Sequence, residues 1–326
     1  MQRRQFIKLL GGATAWPFAA YAQQPNKIPK VGYLWHTASA ADDEPYFTAV
    51  IEGFKKLGYV DRRTIILEHR FPNESPERFR DMAAELVSIN CDVLMGGAVS
   101  SSYLKEATST IPIVFTNVPD PIGLKLVDSL AHPGGNVTGL SNFGRDLIGK
   151  RLQFLKEIVP KMSRVALLVN PDQQTTRIYI QETPPVAAEL GLTIQVFEAR
   201  SLKELDLAFE AMTAAGIQGV ITSSGGSMFQ WRSIIAKLAM VHHLPFCAFS
   251  RETFQDGALL SYGADQIAMC RRSALYVDKI LKGAKASELP VEQPTSVEFL
   301  INLKTAKALG LTVPPALLTN ANEVIE

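Results

Sequence analysis

Residues 92–121, DVLMGGAVSSSYLKEATSTIPIVFTNVPDP, decide how the rest of the chain is read. Val93, Leu94 and Met95 form a short apolar run closed by Gly96 and Gly97, as a buried strand would. Ser100, Ser101 and Ser102 then stand where a helix should begin, so their hydroxyls are expected to cap its free amides. Ile113, Val114 and Phe115 are a second buried strand, followed by Thr116, Asn117 and Asp120. Two neighbouring strands thus deliver polar loops from the same carboxyl edge. In an open parallel sheet that edge is where ligands bind. A helix N-terminus with hydroxyls beside it suits an anion such as a carboxylate.

Working outward, strands and helices alternate on both sides of this stretch. A strand is predicted over residues 31–35. Phe47, Val50, Ile51, Phe54 and Leu57 then repeat at helical spacing up to Gly58. A strand at 64–67 and a helix opened by Ser75-Pro76 follow. After the central stretch, Pro121 is expected to open a helix reaching 131, and a strand follows at 137–140. The alternation restarts with RVALLV at 164–169, with further strands at 193–198, 218–222 and 245–249. Pro184-Pro185 predicts a break in the helix over 175–190. This pattern requires right-handed crossovers and parallel sheets, hence an α/β chain of two Rossmann-like lobes. A helix at 265–282, a connector at 286–295 and a strand-helix pair at 296–309 remain, so the chain crosses between the lobes more than once.

The chain has 326 residues, is 47% hydrophobic and carries a net charge of +1, enough for two domains and without the basic surface that nucleic acid requires. Its beginning reads as an export signal. Arg3-Arg4 precede an apolar run that ends at Ala20-Tyr21-Ala22, a small-x-small cleavage site. From Leu9 to Ala22 the run is about 14 residues, against roughly 20 needed to span a bilayer. Residues 1–22 are therefore expected to be a twin-arginine signal cleaved after Ala22, leaving a soluble periplasmic protein. Its removal takes three basic residues and no acid, so the mature chain is mildly acidic. Cys91, Cys247 and Cys270 show no metal or redox spacing and are expected to be buried thiols.

Motifs for catalysis are missing. Gly144 to Lys150 fits G-x-x-x-x-G-K, but Arg151 stands where a phosphate loop needs Ser or Thr. Leu147 and Ile148 share helix spacing with Leu152 and Leu155, so the segment reads as a helix. There is no G-x-G-x-x-G and no G-x-S-x-G, and His242-His243 have no ligand partners at useful spacing. No cofactor, metal or enzyme activity is expected. What recurs is polar residues at strand ends. In the first lobe these are Trp35, His36, Thr37, Ser100, Ser101 and Thr116, and in the second Asn170, Ser223, Ser224 and Ser250. They suggest a binding site between the lobes, with aromatic contacts from Trp35 and from Met228-Phe229.

The chain resembles type I periplasmic solute-binding proteins, in the group of ABC transporter substrate-binding proteins related to tryptophan and tyrosine binders. The resemblance rests on FKKLGY at 54–59, STIPIVFT at 109–116 with Asp120-Pro121, and HPGGNVTG at 132–139. It rests equally on RVALLVNP at 164–171, LSYG at 260–263 and INLKTAKALGL at 301–311. It implies lobes at 28–140 plus 263–288 and at 141–262 plus 289–326, with crossings near 139–142, 261–265 and 286–295. It further implies a monomer that closes on a small molecule and delivers it to ABC permease subunits. The alternative is a sensor of the same fold acting on a membrane receptor. By the same resemblance Ser100, Ser101 and Thr116 would hold a ligand carboxylate, as in an aromatic or branched amino acid or an aromatic acid. Asp120 either joins the site or caps its helix.

Overall fold

In the computed structural model the described residues are 27–326, apart from 143, 145 and 295, so the expected export signal at 1–22 lies outside the described residues. The first half is an uninterrupted alternation of β1 (Lys30–Leu34), α1 (Tyr46–Lys56), β2 (Ile66–Arg70), α2 (Pro76–Ser88), β3 (Val93–Gly96), α3 (Ala98–Ala107), β4 (Ile113–Val118) and β5 (Val137–Ser141). The five strands form one parallel sheet in the order β2-β1-β3-β4-β5. Strand alternation sorts the core. Val31, Tyr33, Val93, Met95 and Val114 belong to one buried cluster, while Leu34, Leu94, Ile113 and Phe115 join Phe79, Ala83 and Leu86 of α2 in another.

The second sheet is built from α4 (Ile148–Ile158), β6 (Arg164–Val169), α5 (Thr176–Glu189), β7 (Thr193–Glu198), α6 (Leu202–Ala214), β8 (Val220–Thr222), α7 (Gly226–Gln230), α8 (Arg232–Val241), β9 (Phe246–Ala248), α9 (Arg251–Gln255) and β10 (Leu260–Ala264). After α10 (Gln266–Leu281) the chain adds β11 (Val297–Asn302), α11 (Leu303–Ala308), α12 (Pro315–Asn320) and β12 (Glu323–Ile325). Seven strands result, in the order β12-β11-β10-β9-β8-β6-β7, with β11 antiparallel to β10. The sequence predicts five-strand runs; β11 and β12 extend the second sheet because the chain returns to it after α10.

Helix α10 packs on α1 and β4, beside the first sheet, although it follows a strand of the second. The connector then runs alongside β5, where Ser141 N donates to Glu292 O and Glu292 N to Gly139 O, both at 2.9 Å. The chain therefore passes between sheets after β5, after β10 and after the connector. Arg151 is 3% exposed and binds two of these passages together. Its Nε donates to Tyr262 O at 2.8 Å and its guanidinium to Gly144 O at 3.3 Å. The G-x-x-x-x-G-K match thus ends inside α4.

Three local expectations are corrected. The segment 121–131 is a run of turns, not a helix. Asp120 accepts from Gly123 N at 2.8 Å, Lys125 adopts φ 55°, and Leu126 N reaches back to Pro121 O at 2.9 Å, which closes the chain on itself. Helix α5 runs through Pro184 and Pro185 without a break. Pro185 is exposed and Pro184 half-buried, so both lie off the buried face that Tyr179, Thr183 and Ala187 present. Finally, α3 starts at Ala98 with Gly97 as its cap residue, three positions before Ser101.

Candidate functional site

The early start of α3 changes what its serines do. Ser100 Oγ donates to Trp35 O at 2.9 Å, and Ser101 Oγ to Gly96 O at 3.0 Å. Ser100 thus ties α3 to the chain leaving β1, Ser101 bonds back to the last residue of β3, and neither caps the helix. Gly97 has no side chain to cap with, so the first amides of α3 keep the orphan donors and partial positive charge of a helix start. Gly97, Ala98, Val99 and Ser100 all line a cavity of about 110 Å³ between the two sheets.

The carboxyl ends of β1 and β4 supply the next wall. Tyr33 and Trp35, two positions apart on β1 and its continuation, stack with ring centroids 3.7 Å apart and planes at 12°. Trp35 is 3% exposed, and its Nε1 donates to His69 Nδ1 at 3.0 Å. Burial lowers the His69 pKa to about 4, so the ring is neutral and can accept that bond. Trp35 therefore lines the cavity as part of a protein stack, with one face already covered by Tyr33. The Tyr33 hydroxyl pairs with Thr116 Oγ1 at 2.9 Å. Beyond Thr116 the β4–β5 register shifts, and Asn117 adopts φ 53°. Asn117 Nδ2 donates to Cys270 Sγ at 3.1 Å. Its Oδ1 is buried and has no partner among the described residues.

A charged group also lines the cavity. His36 Nε2 lies 3.1 Å from Asp43 Oδ1, and His36 Nδ1 lies 3.1 Å from Glu74 Oε1. Burial alone would lower the His36 pKa. The charges and hydrogen bonds of Asp43 and Glu74 outweigh it and raise the value to about 10, so His36 is an imidazolium at neutral pH. Glu74 is fixed over His36 by its own amide, which donates to His36 O at 2.9 Å. Thr37 Oγ1 donates to the other Asp43 oxygen.

The second sheet faces this wall with Gly225, Gly226, Phe229 and Phe249. Phe229 meets Tyr46 at 5.2 Å between centroids and sets His36 edge-on at 6.4 Å. Gly226 comes so close that a Cβ there would sit 1.7 Å from Glu74 Oε1, so any larger residue would displace the Glu74 carboxylate. Tyr46 Oη donates to Glu252 Oε2 at 2.8 Å, joining α1 to α9 across 206 positions of sequence.

Of the residues expected at the site, Trp35, Ser100, Thr116, Ser224 and Phe229 line this cavity. Ser224 does so with its hydroxyl already 2.5 Å from Tyr179 Oη. Ser101, Asp120, Asn170, Ser223 and Ser250 do not line it. Ser101 faces Gly96 O, and Asp120 holds the turn at Gly123. Asn170 Nδ2 donates to Ser227 Oγ at 2.8 Å. Ser223 is buried with an unpartnered hydroxyl, and Ser250 caps α9 through Thr253 N at 3.3 Å. Sequence reading missed Tyr33, Asp43, Tyr46, Glu74 and Phe249. Only Tyr33 carried a signal, the two-residue period that puts it beside Trp35. The three cysteines are buried free thiols. Among the described residues no group of three or more His, Cys, Asp or Glu side chains is placed to hold a metal ion.

The family model for ABC transporter substrate binding proteins matches residues 43–325. The chain belongs to this family. It is 24% identical over 262 residues to the "Tyrosine-binding protein" of Clostridioides difficile strain R20291, covering 80% of this chain and 75% of that one. The ABC domain from Streptococcus pneumonia in complex with L-Trp superposes at TM-score 0.82 with 23% identity, over 90% of this chain and all of the other. A conserved domain protein of Vibrio cholerae superposes at 0.85 with 27% identity, over 91% and 100% respectively. The fold is that of type I periplasmic binding proteins. Among the described residues no helix is long and apolar enough to cross a membrane.

Proposed function

We propose that this chain is the exported solute-binding component of an ABC uptake transporter, a periplasmic monomer that carries an aromatic amino acid to permease subunits in the inner membrane. Its two bodies are residues 28–140 with 263–288 and residues 141–262 with 289–326, closing over the cavity by bending at the three passages. The observation that carries the reading is the uncapped start of α3, opening onto a cavity that Phe229 and Phe249 also line. Free amides at the positive end of a helix favour a carboxylate, and the aromatic wall favours a ring. Thr116 and the first turn of α3 then hold the anion, and Ser100 contributes by fixing α3 to the end of β1.

The test is calorimetry on protein stripped of bound ligand by unfolding and refolding. L-tryptophan, L-tyrosine and L-phenylalanine are titrated, each against its carboxamide. At least one acid is expected to bind at least tenfold more tightly than its amide. Equal binding of acid and amide would remove the anion site. Failure of all three amino acids would remove the ligand class.

A further inference from the structure

The amino edge of the first sheet lies at the opposite end of its strands from the cavity. There the stretch 55–64, KKLGYVDRRT, closes α1 and leads toward β2. It holds four cations, Lys55, Lys56, Arg62 and Arg63, against one acid, Asp61. Arg62 is taken, with Glu68 at 3.0 Å and Asp61 at 3.7 Å. Lys55, Lys56 and Arg63 are exposed and have no carboxylate within bonding distance among the described residues. The acid one turn back on α1, Glu52, is held by Arg271 at 2.9 Å.

Aliphatic side chains stand among these cations. Leu57 is 39% exposed, Val60 48% and Ile28 37%, three of the eight large apolar side chains that the described residues leave exposed. The loop is folded on itself: Val60 O accepts from Thr64 N at 2.9 Å, and Val60 N donates to Thr64 Oγ1 at 2.8 Å. Pro29 O accepts from Ile66 N at 2.8 Å, which brings Ile28 to the same edge.

Unpaired cations beside exposed aliphatic groups fit a surface that is anionic outside and apolar beneath. The mature chain is mildly acidic, so the attraction is local to this edge. A second copy of the chain would set cation against cation. Covalent reach points the same way. Ala22, the end of the expected export signal, stands five residues before Lys27. At about 3.6 Å per residue or less, those residues span no more than about 18 Å. While the signal is in the bilayer, the start of β1 stays within that reach of it.

We infer that this edge rests on the anionic phospholipid surface of the membrane, with Lys55, Lys56 and Arg63 on headgroup phosphates and Leu57, Val60 and Ile28 at the acyl boundary. It takes only export from the proposed function and nothing from the solute site. Residence on the membrane raises the effective concentration of the protein at the permease subunits. Because the contact lies at the other end of the sheet, it leaves the cavity uncovered.

The experiment sediments the mature chain with large vesicles of phosphatidylglycerol and phosphatidylcholine in equal parts, and with vesicles of phosphatidylcholine alone. Each cation near an anionic surface multiplies partitioning about fivefold, so the three predict a preference for anionic vesicles of about 20- to 100-fold at about 50 mM salt, falling several-fold at about 300 mM. Lys55→Glu with Arg63→Glu is expected to bring anionic binding within about twofold of neutral binding. Lys55→Gln with Arg63→Gln, the milder pair should the first disturb folding, is expected to cost about tenfold or more. Leu57→Ser with Val60→Ser should weaken anionic binding about 5- to 10-fold and leave its salt dependence in place. Lys203→Glu with Lys237→Glu makes the same charge change at exposed positions of α6 and α8, and is expected to leave binding within about twofold. A loss there as large as in Lys55→Glu with Arg63→Glu would reduce the effect to bulk charge and overturn the inference. Equal binding of the parent to both vesicles would overturn it too. A parent that ignores vesicles but forms a concentration-dependent dimer through this edge would assign the edge to a second copy instead. Vesicle binding by a chain that is found not to be exported would remove export and leave the lipid-binding edge standing.

Discussion

The two walls of the cavity start from the same sequence pattern and end differently. Each lobe carries polar residues at the carboxyl ends of its strands. In the first, Tyr33, Thr116, Asn117 and Asp43 line the cavity, Tyr33 bonding Thr116 and Asp43 bonding Thr37 and His36. In the second, Asn170 and Ser227 bond each other, Ser224 bonds Tyr179, and Ser250 bonds Thr253. That wall reaches the cavity mainly with the rings of Phe229 and Phe249 and the backbone of Gly225 and Gly226. On the proposed reading, the first wall fixes the charged groups of the ligand and the second covers its ring.

The largest effect is expected on the first wall. Thr116→Val deletes a hydroxyl beside the helix start and strands the Tyr33 hydroxyl. A hydrogen bond to a charged group contributes about 1.5–3 kcal/mol, so affinity for the carboxylate ligand should fall about 10- to 150-fold in calorimetry. A change under twofold would make Thr116 a strand-end residue like those of the second wall. Phe229→Ala tests the covering wall. Losing a central aromatic anchor should weaken binding about 30-fold, equivalent to about 2 kcal/mol, with similar losses for every aromatic ligand. A loss confined to one ligand would give the second wall a share in recognition.

The link between the walls comes next. Tyr46→Phe leaves the buried Glu252 without its donor from α1, a contact that the proposed closure would make and opening would break. Affinity should drop about 5- to 10-fold, mainly through faster dissociation in stopped-flow traces. An unchanged dissociation rate would mean that closure does not depend on this contact.

Titration separates the walls further, because the paired histidine belongs to the first. The folded pKa of His36, raised from 6.5 to about 10, lies above its unfolded value. Its pairing therefore stabilises fully below about pH 6.5 and is lost as pH rises through 10. Thermal melting points should decline over that window in the parent and stay flatter in His36→Gln. His69 runs the other way. Lowered to about 4, it lets stability fall as pH drops from about 6.5 toward 4. Identical alkaline profiles for parent and His36→Gln would show that the imidazolium is not held as described.

The smallest effects belong to the polar residues that turn inward. Ser101→Ala and Asn170→Ala should leave affinity within about twofold while lowering stability by about 1 kcal/mol each in denaturant melts. A tenfold loss of affinity in Asn170→Ala would erase the contrast between the walls.

Legibility followed distance along the chain. The runs at 93–95, 113–115 and 164–169 announced buried strands because burial and strand geometry act on adjacent residues. Ser100 and Ser101 read as caps from sequence because serine before a helix usually is one. Here the strand ends at Gly96, the helix starts directly after Gly97, and the serines fall inside the first turn. Pro184 and Pro185 were read as a break because isolated helices do break at proline. Packing of Tyr179, Thr183 and Ala187 holds α5 together through them.

By itself the sequence determined the alternation of strands and helices, the parallel sheets and the family. All of these rest on local periodicity and on short motifs. Only the tertiary structure decided which polar groups are free. Asp43 and Glu74 meet over His36, and Tyr46 meets Glu252, because separate strands and helices deliver them to one place. Whether a side chain binds a ligand or its own neighbour depends on what stands within about 3 Å of it. For residues 206 positions apart, as Tyr46 and Glu252 are, that distance exists only once the sheets have formed and faced each other.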